Sequence, residues 1–144
     1  MSNTTVETIL DTLENELKSY VKVSRDYRTT PTTIYRGAFS PSEVQAFPVV
    51  GFDIVAEDFD IVYQDKEGVA YVELDIYGYT FSDGVDRISD IRDLAHDILY
   101  FIHNDFSYTN ETGILGKLEY NGYKTLVFRL PIRIFYEWDY DTIK

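Results

Sequence analysis

The strict alternation of apolar and polar side chains along residues 68–80 constrains the fold more than any other feature of the chain. Every second residue from Ala70 to Ile76 is aliphatic, and the residues between them are acidic or tyrosine. A period of two places the aliphatic side chains on one face of an extended strand and leaves the other face accessible to solvent. We therefore predict a half-buried strand, which needs a second layer of structure over its apolar face.

Another extended segment precedes this strand. Residues 48–56 place apolar side chains at alternate positions, and residues 58–64 predict a short strand or a bulged extension of it. The inward-facing residues of this prediction are Val50, Phe52 and Ile54. Residues 65–68 are turn formers and connect the segment to residues 68–80. A connection this short predicts an antiparallel pair.

A hairpin is predicted in the C-terminal part of the sequence. Residues 114–120 lead into Asn121-Gly122, a dipeptide that favours a type I′ turn, and residues 123–138 follow as a long strand. Pro131 lies on the outward-facing side of that strand, which predicts a sheet edge or a bulge at this position.

Two segments have the periodicity of a helix. Residues 5–22 and 84–103 carry apolar residues three, four and seven positions apart, which gives each helix one apolar stripe. The order of elements is helix, two strands, helix, two strands, with a long loop at residues 23–47. We predict one α+β domain over residues 1–144, in which two helices cover one face of a mainly antiparallel four-stranded sheet.

The loop at residues 23–47 contains two prolines and several arginines and aromatic residues. A stretch this long without regular structure is typical of a functional segment, although one short helical turn is predicted at 41–46. We interpret part of the loop as an arm that docks on the acidic surface of an adjacent copy, and the alternative is an ordinary surface loop. The predicted interface residues are Arg25, Tyr27, Arg28, Tyr35, Arg36 and Phe39.

The chain carries a net charge of −12, and residues 48–144 account for −11 of it. Such a surface repels phosphate and disfavours nucleic-acid binding by counterion release. Because there is no cysteine, disulfides and thiolate metal sites are excluded. The sequence has no signal-peptide pattern and no apolar run near the length of about 20 residues that a membrane helix needs, so we expect a soluble protein without a membrane partner.

The sequence offers little for catalysis. It has no cysteine nucleophile, no phosphate-binding glycine loop and no GxSxG motif. The titratable groups that come closest to a site are His96 with His103, Asp58 with Asp60, and Asp139 with Asp141. Each pair lacks the further ligands or partners that a metal or a nucleophile requires, so we expect no enzyme activity, cofactor or metal.

Four aspartates follow one side of the second predicted helix: Asp86, Asp90, Asp93 and Asp97. We place them opposite the apolar stripe of that helix. The simplest interpretation is a solvated outer face. However, like charges four residues apart repel each other, so the row has a cost. The alternative is that the stripe faces a basic partner, or lines a channel through which a polyanion passes.

The whole pattern resembles the tail-terminator, or tail-completion, proteins of long-tailed bacteriophages. The resemblance lies in an N-terminal amphipathic helix, a long loop that ends in FPVVGFDIVAED, the strand VAYVELDIYGYT, the helix DRISDIRDLAHDILYFI and a final hairpin that ends in LPIRIFYEW. It covers nearly the full chain and depends on architecture, length and character, because these families have no diagnostic catalytic motif.

The resemblance implies a structural protein of the virion, assembled in the host cytoplasm. It would form a hexameric ring of identical subunits on the head-proximal end of the tail tube, stop tube growth and provide a docking surface for the head-connector or neck protein. DNA would pass through the lumen without specific binding, and an acidic lining would limit its attachment.

Two other functions stay open. An acidic inhibitor, either an immunity protein or a DNA mimic, would use the net charge and the aspartates to occupy a basic site on another protein. A metal-assisted hydrolase around Asp58, Asp60 or Asp139 is the third hypothesis.

Overall fold

Six strands in one sheet and two helices make up the described part of the chain. The computed structural model describes residues 6–23, 33–37, 48–62, 67–81, 88–121 and 125–139. The elements are α1 (Val6–Val23), β1 (Thr33–Arg36), β2 (Val49–Val62), β3 (Glu67–Phe81), α2 (Ile88–Asn104), β4 (Thr112–Ile114), β5 (Glu119–Asn121) and β6 (Thr125–Asp139). A short 3₁₀ helix at Thr109–Glu111 precedes β4.

The sheet is mixed. β3 lies at its centre between β2 and β6, and both of these pairings are antiparallel. β1 pairs with β2 in parallel, with Thr33 opposite Val49 and Arg36 opposite Phe52. On the far side of β6, β4 and β5 pair with successive stretches of the same strand. β2 and β6 are therefore long strands that have short partners along only part of their outer edges.

The core lies between one face of the sheet and the two helices. Aliphatic residues at alternate positions of β3 are almost completely buried, as the period of two predicts, and so are the inward-facing residues of β6. Apolar residues of both helices belong to the same buried cluster. The fully buried aromatic residues are Phe52, Phe101, Phe106 and Phe128.

The α+β class, the two helices and the antiparallel pairings are confirmed, but the four-stranded sheet is wrong. β1 lies inside the predicted loop at residues 23–47. Its sequence, Thr-Ile-Tyr-Arg, has high strand propensity, but four residues are too few to display a period. Within residues 23–47, the structure describes Val23, β1 and Gly37. The turn predicted at 41–46 lies outside the described residues.

β2 is one strand where the sequence suggested two. Its pairing with β3 continues through register shifts between Ile54 and Ala56 and between Phe59 and Ile61. The bulged extension is therefore the correct alternative. A bulge adds a residue on one strand, which explains why the alternation of apolar residues fails at Ile54-Val55-Ala56.

The segment predicted as one strand at 114–120 is divided into β4 and β5, with Gly116 at a φ of 63° between them. Pro131 lies opposite this break. Its carbonyl accepts a hydrogen bond of 2.9 Å from the Leu115 amide, so the edge of β6 at Pro131 faces this interruption. Because proline has no N–H to donate, it is tolerated where the ladder is already broken. The β5–β6 hairpin is confirmed by its pairing, and the turn at Gly122 lies outside the described residues.

Candidate assembly surfaces

The predicted interface arm is only partly described. Tyr35 and Arg36 belong to β1, whereas Arg25, Tyr27, Arg28 and Phe39 lie outside the described residues. The structure therefore describes two of the six predicted interface residues.

Arg36 makes its contacts within its own chain. Its guanidinium donates hydrogen bonds of 2.6 Å to Glu7 and 2.6 Å to Asp11, two acidic residues one turn apart on α1. Burial lowers the pKa of Arg36, but the hydrogen bonds to Asp11 and Glu7 more than offset this effect and raise the pKa overall. These hydrogen bonds link β1 to α1. The other basic residues of the predicted arm are Arg25 and Arg28.

The acidic stripe is not one solvated face. Asp97 is only 4% exposed, and Asp93 is half-buried. Leu94, three residues before Asp97, and Phe101, four residues after it, are both buried, so the apolar side of α2 extends to Asp97. The placement of Asp97 opposite the core is therefore wrong. Asp86 and the side chain of Asp90 lie outside what the structure describes.

Of the three titratable pairs, both side chains are described for His96 with His103 alone. His96 is half-buried and His103 is exposed on α2, and Asp58 is exposed on β2. The side chains of Asp60, Asp139 and Asp141 lie outside the described set. Among the described residues, no cluster of three or more histidine and acidic side chains has a geometry that could hold a metal ion.

Ion pairs cross the outer face of the sheet, the face opposite the helices. Arg129 on β6 donates hydrogen bonds of 2.8 Å to Asp75 and 3.0 Å to Glu119. Arg133 donates a bond of 2.9 Å to Glu73, and its guanidinium lies 4.6 Å from the centre of the Tyr71 ring. These arginines serve to link neighbouring strands, since each one already pairs with a carboxylate beside it.

A shallow cleft of about 360 Å³ opens beside these ion pairs. Its lining residues are Tyr77, Tyr79, Glu119, Tyr120, Asn121, Val127, Phe128 and Arg129. The Tyr77 hydroxyl donates a 2.8 Å hydrogen bond to the Gly37 carbonyl. Burial, together with the charges of Asp53 and Asp75, raises the pKa of Tyr77 to about 12, so its hydroxyl is neutral near pH 7. The cleft offers aromatic rings and one ion pair but no reactive group.

β2 presents an edge that sequence reasoning missed. β1 pairs only with Val49–Phe52, so residues 53–62 have no strand on that side within the described chain. We call residues 53–62 the open edge. Ile54 is 39% exposed, Val55 57% and Phe59 42%. Ile54, which we placed on the same face of the strand as Val50 and Phe52, is exposed where those two residues are buried. The apolar run Ile54-Val55-Ala56 was the signal that could have indicated this change.

The open edge is also acidic. β2 contains Asp53, Glu57, Asp58 and Asp60 and no lysine or arginine. Glu57 accepts a hydrogen bond of 3.4 Å from the Tyr136 hydroxyl on β6. An edge that combines exposed apolar side chains with negative charge suits a partner strand that brings apolar and positively charged groups.

No protein-family model matches the chain, and no curated protein sequence matches it either. Within the residues that the structure describes, there is also no helix of the length and apolar character needed to span a bilayer.

Proposed function

We propose that the chain is a structural subunit that assembles with copies of itself into a ring, which caps the head-proximal end of a phage tail tube. The observation that carries the proposal is the open edge of β2. Exposed apolar residues on the edge strand of a sheet are an aggregation hazard that folded proteins normally avoid, so their presence favours an assembled state in which the edge is covered.

The ring acts by surface complementarity. One face of the ring occupies the polymerising end of the tube, and the opposite face receives the head-connector or neck protein. Tube growth stops because the second face does not reproduce the surface that recruits the next layer of tube subunits. No bond is made or broken, so the proposal requires neither a cofactor nor a nucleophile.

The charge of the chain fits the passage of DNA through such a ring. A lumen that repels phosphate limits the attachment of DNA while it moves. Asp97 is not required for this effect, since it is buried beside Leu94 and Phe101. Asp93, which is half-buried on α2, is the residue of the predicted stripe whose described side chain is accessible.

Assembly and capping can be tested with purified components. Native mass spectrometry should show a closed multimer of one size, either alone or after the tail-tube protein is added. Tubes polymerised with increasing amounts of the chain should become shorter, as measured by electron microscopy. A chain that stays monomeric at all concentrations and leaves tube length unchanged would contradict the proposal.

An acidic inhibitor is the second candidate, and the charge of β2 favours it. The same edge could receive a strand from a basic foreign protein. This function predicts a one-to-one complex with that protein and no self-association, so the mass measured for the chain alone distinguishes the two candidates.

A further inference from the structure

We propose that the open edge of β2 is covered by residues 24–32 of a second copy, which add a strand to the sheet. This proposal rests on the ring function, because the occupant of the edge is another subunit. It assigns the contact between subunits to one strand and one segment.

The backbone of β2 is available for such pairing. The last hydrogen bond from the β1 segment is the 2.8 Å bond from the Gly37 amide to the Phe52 carbonyl. Gly37 has a φ of +100°, a conformation that favours glycine and is not that of an extended strand. Beyond Phe52 the described chain places no further strand beside β2, so backbone groups of the open edge can accept a new partner.

The charge of the edge selects the occupant. β2 holds four acidic residues and no basic one. Pairing with the open edge of another copy would therefore place carboxylates opposite carboxylates, which is unfavourable. The C-terminal end of β6 is also an unfavourable partner for the open edge, since it carries Glu137 and Asp139. Residues 24–32 contain Arg25 and Arg28 with one acidic residue, and Tyr27 between them offers a ring to the exposed apolar side chains.

The reach of the chain excludes Arg28 of the same copy as the partner of the middle of the open edge. Thr33 lies opposite Val49, and Asp58 in the middle of the open edge lies eight β3 residues farther along the sheet. At roughly 3.3 Å per residue this distance is about 26 Å. Arg28 precedes Thr33 by five residues, which span at most about 18 Å when fully extended. A segment centred on Arg28 therefore reaches this part of β2 only from another copy.

The edge also has features that prevent random pairing. Two register shifts interrupt it, and bulges and charges on edge strands normally oppose association with any available strand. A partner must then match both the irregular register and the negative charge. These features make the contact selective for a basic segment.

Disulfide trapping tests the contact directly, because the chain has no cysteine of its own. One preparation carries Phe59→Cys, next to Asp58, and another carries Thr29→Cys, next to Arg28, which leaves both arginines in place. When the two are mixed and oxidised, we expect a covalent dimer that contains one copy of each. Tyr100→Cys is the matched control, since Tyr100 is a comparably exposed apolar residue on α2. Mixed with Thr29→Cys, it should give at least tenfold less dimer.

Three results would overturn the contact. These are the absence of a mixed dimer, an equal yield with Tyr100→Cys, or a dominant dimer between two Phe59→Cys copies, which would mean that open edges pair with each other.

Charge exchange provides an independent readout. Arg25→Glu with Arg28→Glu should weaken self-association at least tenfold in sedimentation, and a mixture with a Glu57→Lys, Asp58→Lys chain should restore it. Rings that persist in the arginine variant would disprove this contact and leave the ring function intact. Mixed disulfide dimers from a chain that never shortens tail tubes would support the contact and contradict the capping function.

Discussion

The two parts of β2, residues 49–52 (the closed half) and residues 53–62 (the open half), belong to one strand but have opposite environments. Residues 49–52 lie between β1 and β3, and Val49, Val50 and Phe52 are fully buried. Among the described residues, 53–62 pair with β3, and Ile54, Val55 and Phe59 are exposed by 39% to 57%. The apolar residues of the first half are explained by the core of one chain. Those of the second half are explained only if something outside the described residues covers them.

The largest expected difference is between two phenylalanines of this strand. Phe52→Ala should lower the free energy of unfolding by about 3–5 kcal/mol, because it leaves a cavity in a closed core. Phe59→Ala is the matched control and should cost about 1 kcal/mol or less in the dilute chain, where the ring is 42% exposed. Urea unfolding would measure both. Equal losses would mean that the open edge is already packed within one copy.

A smaller effect is expected at Gly78, which lies opposite Val50 of the closed half and Phe128 of β6. A Cβ atom at Gly78 would come within 2.4 Å of the Phe128 ring, which is fully buried. We expect Gly78→Ala to destabilise the fold by about 1–3 kcal/mol through overpacking. At Gly113 a Cβ atom would meet nothing within 4 Å, so Gly113→Ala should be neutral or slightly stabilising. Thermal unfolding would measure both variants. A Gly78→Ala variant that unfolds at the wild-type temperature would show that the core beside Gly78 can accommodate an extra methyl group.

The ion pairs of Arg36 should contribute less than the core does. Arg36→Met removes the bonds that hold β1, the strand that closes the first half of β2, against Glu7 and Asp11. The expected cost is about 1 kcal/mol or less, and it should shrink in 1 M salt. Lys18→Met is the control, because the Lys18 side chain is 52% exposed against 28% for Arg36, and its pair with Glu14 should contribute almost nothing. A salt-independent loss would indicate that the packing of Arg36 matters more than its charge.

The smallest effect appears only in alkaline solution. Burial raises the pKa of Tyr77 from 10.0 to about 12. Its contribution to stability is therefore complete below pH 10 and is lost as the pH rises towards and through 12. Tyr77→Phe should reduce the loss of stability across this interval in urea titrations. Tyr136→Phe should act in the same direction at the open half, because burial and Glu57 raise the pKa of Tyr136 to about 12. An unchanged pH profile in both variants would refute this assignment.

The sequence predicted the parts of the fold that depend on local periodicity. The alternation from Ala70 to Ile76 and the apolar stripes of the helices are visible without knowledge of any partner. β1 could not be predicted in this way, because it pairs with β2 in parallel and is joined to it by a connection that is not a hairpin. The register shift that follows Ile54 also depends on pairing with β3, so the sequence could not locate it.

The candidate surfaces were harder to predict than the fold. The charge of Arg36 suggested an interface, but its register opposite Phe52 directs it to α1. Asp97 is buried because Leu94 and Phe101, on the same side of α2, are buried as well. In both cases the sequence identified the correct chemical group, and the packing of a second element decided what that group contacts.

Hydrogen exchange of the β2 amides, measured by mass spectrometry over a range of protein concentrations, tests the central claim most directly. We predict that residues 49–52 are protected at every concentration. Residues 53–62 should exchange faster in the dilute chain and become protected as copies associate. Exchange of residues 53–62 that does not change with concentration, while the chain is shown to assemble, would contradict the claim that a second copy covers the open edge.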